Sequence, residues 1–462
     1  MTVELKTSIT LGEIYKAIGN KRADLAHGGG YIGNALVKRI VTDSREALSG
    51  DLFVALKGER YNGNDYIGEA RMRGAFTLSD ENKNADIFVK SAYAALGDIA
   101  AFYKTRLENL VATVGITGSI GKTTTKNFLK TLLSKHMRTH ATRGNENNLL
   151  GVPLTVFSAP PDTELLIIEA GMNHPGELSE ISRIITPDVA IITNVGTAHI
   201  GNFGSRQAIA KAKLELFESA ADSASLIVPY GEALLSGIAS TLTVSEGYEI
   251  NADFSIVRER DLAHLSGDFL AKGERLFSFC TNITARHLLP LLGFAFSVCY
   301  RLGMSPQEIS FAAAGLSDAH TRLRTFKIGR LTVIDDAYNS SLEALKGALL
   351  HLSSIDAHPR CALIGDILEL GDMAEDTHYE AGRLAAESLD GLYVFGEYKD
   401  AVVRGARDNG LAAENIRVLE ANSPDVIASI IKAELDRGVL LIKGSHATGL
   451  YRVCELLLKY GG

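Results

Sequence analysis

The chain has 462 residues, a length that suits about three domains at ~150 residues each. Hydrophobic residues make up 46% and charged residues 22%, with a formal net charge of −8 at pH 7, a balance that fits a globular protein and argues against a broad nucleic-acid surface. The cysteines Cys280, Cys299, Cys361 and Cys454 lie far apart without a C-x-x-C pair, so reduced core thiols are expected rather than a disulfide framework or a zinc site.

The first residues, MTVELKTSIT, lack the apolar core of a signal peptide, and the greasiest run, Leu288 to Phe296, is far shorter than the ~20 residues of a spanning helix. A cytoplasmic protein without membrane insertion is expected. Residues 1–108 mix short strands and helices. Leu52 to Leu56 reads as a strand, followed by a turn rich in glycine and asparagine. SAYAALGDIAAFYKTRLENL reads as a helix from its apolar spacing at Ala94, Leu96, Ile99 and Phe102.

From about Asn109 the pattern changes to strand, loop, helix. VATVGIT, LLIIEAG, VAIITNVG and SLIVP are continuously apolar, which predicts strands buried on both faces of a mainly parallel sheet. The first runs into TGSIGKTTTKN. Gly118 and Gly121 let the backbone curl so that several N–H groups face one point, and a helix beginning near Lys122 adds partial positive charge there. Lys122 is placed to reach β- and γ-phosphates, and Thr123 to ligate Mg²⁺. The loop departs from G-x-x-x-x-G-K-[ST] at Ile116, where the first glycine would fall, yet strand and helix stand correctly on either side. The following helix should bury Phe128, Leu129, Leu132 and Leu133.

Further along, RGNENNLLG brings Asn145, Asn147 and Asn148 into one loop, where turn formation is the ordinary use of asparagine. Glu169 closes a buried strand and could serve a metal ion or cap a helix. His199 follows another strand end in a glycine-rich loop. Lys211 and Lys213 are helical, and a solvated face is the default for both. A third block from about Leu323 has strands LTVIDDAYN, CALIGD, LYVFGE and VLLIKGS. Strands across the chain end on Glu169, Asn194, Asp336, Asp366 and Lys443. A polar strand end is ordinary taken singly; together with the glycine loop they mark the edge where open α/β sheets bind ligands.

These residues resemble the Mur ligases, the ATP-dependent amide ligases of peptidoglycan precursor synthesis. The family loop T-G-[ST]-x-G-K-T-[ST] is matched by Thr117, Gly118, Ser119, Ile120, Gly121, Lys122, Thr123 and Thr124, including the residue before it. GNENNLLGVPLT, IIEAGMNHPGELSEISRI, NVGTAHIGNFGS, IDDAYNSS and GDILELGDMAEDTHYEAG resemble most the branch that adds D-alanyl-D-alanine to UDP-N-acetylmuramoyl-tripeptide. TDSREALSGDLFVALKGERYNG extends the resemblance to the N-terminal block.

The resemblance implies an α/β protein of three domains: residues 1–108 a small mixed domain for the UDP substrate, 109–322 a central phosphate-loop ATPase domain with a mainly parallel sheet, and 323–462 a Rossmann-like domain. It implies ATP and Mg²⁺, small-molecule substrates and a monomer. Lys122 would bind the γ-phosphate, Thr123 and Glu169 one Mg²⁺, and His199 would sit near a second. Lys213 matches a family lysine that can carry a carbamate. Asn145 and Asn148 would line the phosphate site, Arg322, Asp336, Tyr338 and Asn339 would close over ATP, and Ser44 and Arg45 would meet the uridine nucleotide. The chain departs at the family's H-N-x-x-N, which reads His287-Leu288-Leu289-Pro290-Leu291, at D-G-H, which reads Asn62-Gly63-Asn64, and at K-G-S-R, which ends in His446. A sibling ligase acting on another muramoyl peptide or on folate, or a regulatory ATPase that forms no bond, stays open as an alternative.

Overall fold

A computed structural model describes residues 1–19, 23–25, 33–58, 61–238, 241–259, 264–321, 323–420 and 423–460. The chain is mixed α/β and its described strands form three sheets, as expected. It divides into two compact units. One holds Met1–Thr117, Leu133–Ile191 and Ala212–Leu226; the other holds Gly118–Leu132, Ile192–Lys211 and Ile227–Gly462. Among the described residues no helix is long and apolar enough to cross a membrane.

The first unit contains β1 (Thr2–Thr10), β2 (Ala23–Leu25), β3 (Leu36–Val41), β4 (Leu52–Val54), β5 (Phe76–Ser79) and β6 (Ile87–Val89), in the sheet order β1-β3-β4-β5-β6-β2. The inner pairs run parallel and the outer pairs, β1 with β3 and β2 with β6, antiparallel. The predicted strand from Leu52 stops at Val54, two residues early. The predicted helix spans Ala92–Lys104, with Ser91 accepting from the Ala94 N–H as its cap. Tyr103 at its end is fully buried, stands edge-on to Phe157 at 5.6 Å, and accepts the N–H groups of Lys6 and Thr7, each at 2.9 Å.

The same unit holds β7 (Ala112–Thr117), β8 (Thr139–Ala141), β9 (Leu165–Glu169) and all but the last residue of β10 (Val189–Ile192). β7 and β8 each pair parallel with β9. Every residue of β7, β9 and β10 is buried, which is what continuous apolar runs require.

The helix Lys122–Leu133, all but its last residue in the second unit, begins where expected, and Phe128, Leu129, Leu132 and Leu133 are fully buried. After β11 (Ser225–Pro229) come β12 (Thr241–Glu246), β13 (Phe254–Arg258), β14 (Ser266–Ala271) and β15 (Glu274–Cys280). β12 and β13 are parallel; β13, β14 and β15 form antiparallel pairs that the sequence reading missed. Their short alternating strands carry Phe269, Phe277 and Phe279 onto Phe296, with ring centroids 5.2–5.6 Å apart. Alternation also corrects one expectation: Cys280 is exposed on the outer face of β15, whereas Cys299, Cys361 and Cys454 are buried.

The C-terminal part of this unit holds β16 (Arg324–Ile328), β17 (Arg330–Asp336), β18 (Arg360–Ile364), β19 (Gly391–Val394), β20 (Ile416–Val418) and β21 (Arg437–Lys443), in the order β16-β17-β21-β18-β19-β20. Only the β16–β17 hairpin is antiparallel; the other pairs are parallel. Val333, Leu363, Leu440 and Ile442 pack with Ile427, Ile431, Val453 and Leu457 from the flanking helices. In register, Asp336 lies opposite Lys443, and Lys443 opposite Ile364, so the carboxyl ends of β17, β21 and β18 coincide. The strand order reverses there, the place where open α/β sheets take ligands.

Candidate functional site

In the second unit the phosphate loop is held from behind by the segment that follows β10. Gly118 has φ +149° and Gly121 φ +83°, conformations that favour glycine. A Cβ on Gly118 would lie 1.9 Å from Thr193 Oγ1. The Ser119 and Ile120 N–H groups donate to Asn194 Oδ1 at 2.9 and 3.0 Å, and Thr193 Oγ1 donates to the Ile120 carbonyl at 2.5 Å. The Gly196 N–H donates to Ser119 Oγ at 2.9 Å. Lys122 Nζ donates to the Gly118 carbonyl at 2.6 Å, so the lysine folds back over its own loop. Thr123 is half-buried and Thr124 buried at the start of the helix.

The asparagine loop belongs to the first unit and divides its labour. Asn145 is exposed. Asn148 Oδ1 accepts the Leu150 and Gly151 N–H groups at 3.1 and 2.9 Å, starting the helix Gly151–Phe157. Asn147, which the sequence reading left as a loop residue, donates to Glu169 Oε1 at 2.9 Å, and its carbonyl accepts the Gly171 N–H at 2.7 Å. Glu169 is fully buried at the end of β9, and its own N–H donates to Thr142 Oγ1 at 3.0 Å. Lys213 is 2% exposed, which overturns the solvated default; Lys211, two positions earlier, is exposed as expected.

In the second unit His199 adopts left-handed φ +63° and contacts Glu369 of the GDILELG segment through Nδ1. The Gly201 N–H donates to the Glu369 carbonyl at 3.0 Å. Lys443, 1% exposed, donates to Asp336 Oδ2 at 2.6 Å and to the Asn339 carbonyl at 3.1 Å, which ties two predicted site residues together. Tyr338 stands edge-on to His446 at 5.3 Å, and His446 stacks on Tyr451 at 4.5 Å. His287 is mostly buried; burial first, then His351 and Lys443, lowers its pKa to about 4. Arg322 lies outside the described residues.

In the first unit, buried Ser44 donates to Glu69 at 2.8 Å. Arg45 is exposed and pairs bidentately with Asp43, whose pKa its hydrogen bonds bring down to about 2. The residues expected to serve Mg²⁺ offer carboxylate, hydroxyl and imidazole donors, and the oxygen donors suit that hard cation. Among the described residues no three His, Cys, Asp or Glu side chains cluster as a metal cage.

Residues 116–288 match the model of the Mur ligase middle domain. The UDP-N-acetylmuramoyl-tripeptide--D-alanyl-D-alanine ligase of Bacillus subtilis is 31% identical over 435 residues, covering 92% of this chain and 94% of that protein. The chain belongs to the Mur ligase family. The Escherichia coli ligase of the same name is 26% identical, covering 91% of the chain and 94% of that protein. Among solved structures, MurF from Acinetobacter baumannii superposes with a TM-score of 0.86 at 27% identity, covering 99% of this chain and 100% of that one. MurF from Thermotoga maritima, solved in complex with ADP, gives 0.79 at 28% identity, covering 91% and 97%.

Within this Mur ligase, sequence reasoning singled out the phosphate loop, Glu169, His199 and Asp336 but gave no role to Asn147, Thr193, Thr197, Glu343 or Glu369. Asn194 had been marked only as a polar strand end. Each of these acts through a partner distant in sequence, and no local pattern reports it.

Proposed function

We propose that this chain is an ATP-dependent amide ligase that joins D-alanyl-D-alanine to UDP-N-acetylmuramoyl-tripeptide, giving the pentapeptide, ADP and phosphate. The observation that carries the reading is full-length likeness to the Bacillus subtilis ligase, 31% identical across 92% of the chain. The shaped phosphate loop beside it supports ATP as the activating substrate.

In this reading the tripeptide carboxylate attacks the γ-phosphate, forming an acyl phosphate and releasing ADP. The amine of D-alanyl-D-alanine then attacks the acyl carbon and phosphate leaves. Such transfer needs positioning and local positive charge more than an enzyme nucleophile. Lys122 supplies charge at the γ-phosphate, with Thr117 to Thr124 cradling the phosphates and Asn145 and Asn148 beside them. Asp336, Tyr338, Asn339 and Arg322 are assigned to ATP, and Ser44 and Arg45 to the uridine nucleotide. We assign Mg²⁺ to Thr123 and Glu169, and a second ion to His199 and Lys213, the lysine taking part as a carbamate because an ammonium repels cations. Held by these residues, Mg²⁺ would supply positive charge against the negative charge that develops in the transfer. The working division is residues 1–108, 109–322 and 323–462, in a cytoplasmic monomer.

Phosphate release from ATP is measured with UDP-N-acetylmuramoyl-tripeptide, with and without D-alanyl-D-alanine, and the product is weighed by mass spectrometry. Release that requires both, with pentapeptide formed, is expected. Release indifferent to both overturns the assignment.

A further inference from the structure

The segment from Thr193 to Gly201 touches the phosphate loop on one side and the C-terminal α/β part of the second unit on the other. Its first half carries the phosphate loop: Asn194 accepts two of the loop's N–H groups, Thr193 bonds the Ile120 carbonyl, and the Gly196 N–H bonds Ser119. The next residue is taken by Glu343, which lies in the first turn of the helix Leu342–Ser353. Glu343 Oε1 accepts both the Thr197 N–H at 2.8 Å and the Thr197 hydroxyl at 3.0 Å. Between the two contacts sits Gly196. A Cβ there would lie 2.9 Å from Glu343 Oε1 and 3.2 Å from Ser119 Cβ, so the segment passes closely between carboxylate and phosphate loop. Glu369 grips the far end at His199 and Gly201.

An acid in the first turn of a helix ordinarily faces solvent and favours the helix dipole. Glu343 does otherwise: one oxygen takes two bonds from Thr197, and the other is buried with no hydrogen-bond partner. Burying a carboxylate oxygen unsatisfied is costly, and a first-turn role alone would not place it there. A two-bond clamp on the residue that follows the loop's anchors explains it.

Resting on the ligase reading above, we propose that Glu343 is a positioning residue for the nucleotide. It clamps Thr197, the clamped segment holds Asn194 and Gly196 against Ser119 and Ile120, and the phosphate loop is thereby pre-shaped for triphosphate. Docking of the C-terminal part and the geometry of the phosphate loop are in this way one event. Pre-shaping gains affinity by cutting the ordering cost of binding.

The test uses the full chain and a non-hydrolysable ATP analogue with Mg²⁺, titrated calorimetrically into the wild type, Glu343→Ala and Glu343→Gln. Part of the strength of the two hydrogen bonds to a charged group reaches the loop, so Glu343→Ala should weaken nucleotide binding about tenfold. In steady state its KM for the muramoyl peptide and for the dipeptide should stay within about twofold. Glu343→Gln keeps the acceptor for Thr197 and should bind within about twofold of wild type. Unchanged affinity in Glu343→Ala overturns the proposal. So does tighter binding by both variants, which would mean that the carboxylate acts only by repelling phosphate. A rise in all three KM values together with a lower Tm also overturns it, since that is a structural loss. Should Glu343→Ala fail to fold, Thr197→Val removes one of the two bonds and should weaken binding about threefold, and no change there is refutation. A wild type that binds the analogue but makes no pentapeptide would sink the ligase reading and leave the clamp standing.

Discussion

Lys443→Met isolates the interaction that organises the carboxyl edge of the C-terminal sheet. The Lys443 ammonium is 1% exposed and lies 2.6 Å from Asp336 Oδ2 and 3.1 Å from the Asn339 carbonyl. The Asp336 side chain is itself only 13% exposed. Methionine keeps most of the apolar stem but takes away the ammonium that donates to a mostly buried carboxylate and to a carbonyl. Breaking a buried pair on one side costs ~3–5 kcal/mol, a large part of the 5–15 kcal/mol that holds a typical domain together. Removing both charges, in Lys443→Met with Asp336→Asn, should be milder than the single lysine variant, because the buried carboxylate that Lys443 balances is then neutral as well. The assay is amide hydrogen exchange of β17 and β21 in the wild type, both single variants and the double, since a chain of several domains does not unfold in one step. A coupling of about 2 kcal/mol or more between the sites is expected. Loss below about 1 kcal/mol for Lys443→Met, or strictly additive effects, would refute the reasoning.

Other expectations follow from the same geometry. Lys122→Ala should abolish phosphate release, because nothing else in the loop can bring a mobile cation to the γ-phosphate; most activity retained would sink that assignment. Asn194→Ala removes the acceptor of two loop N–H groups at ~1 kcal/mol each, so kcat/KM for ATP should fall about tenfold or more. Asn194→Asp should be worse still, by setting a negative charge beside the phosphates. Gly118→Ala forces a Cβ to within 1.9 Å of Thr193 Oγ1 and should raise KM for ATP steeply, with the thermal midpoint as control. The pKa of His287, lowered to about 4 by burial, makes the folded state favour its neutral form. The unfolded chain then binds the extra proton between pH ~6.5 and 4. This contribution to stability is complete above pH ~6.5 and is lost as pH falls toward 4, reaching about 2 kcal/mol at pH 5. Replacing His287 with leucine should flatten the unfolding profile across that window, and an unchanged profile would contradict the burial argument.

What the sequence by itself determined is local. Continuous apolar runs specified β7, β9 and β10 as strands buried on both faces, because burial pattern is written residue by residue along a strand. Gly118 and Gly121, a lysine and a run of threonines specified the phosphate loop, because its backbone conformation depends on neighbours a few positions away. The 3.6-residue period put Phe128, Leu129, Leu132 and Leu133 inside. Short alternating strands such as β14 and β15 gave too weak a local signal, and they escaped.

Only the tertiary structure decided which side chains meet. Asn147 rather than Asn145 or Asn148 reaches Glu169, although composition makes the three equivalent. Lys213 is buried while Lys211 is exposed on one short helix, a choice made by what packs against each. Asn194 holds the phosphate loop from 75 residues away, Lys443 meets Asp336 across 107, and Glu343 clamps Thr197 across 146. Such pairs depend on the register of parallel strands and the docking of helices, which place carboxyl ends together whatever their separation along the chain. A hydrogen bond is specified by two positions in space, and a sequence states only one of them at a time.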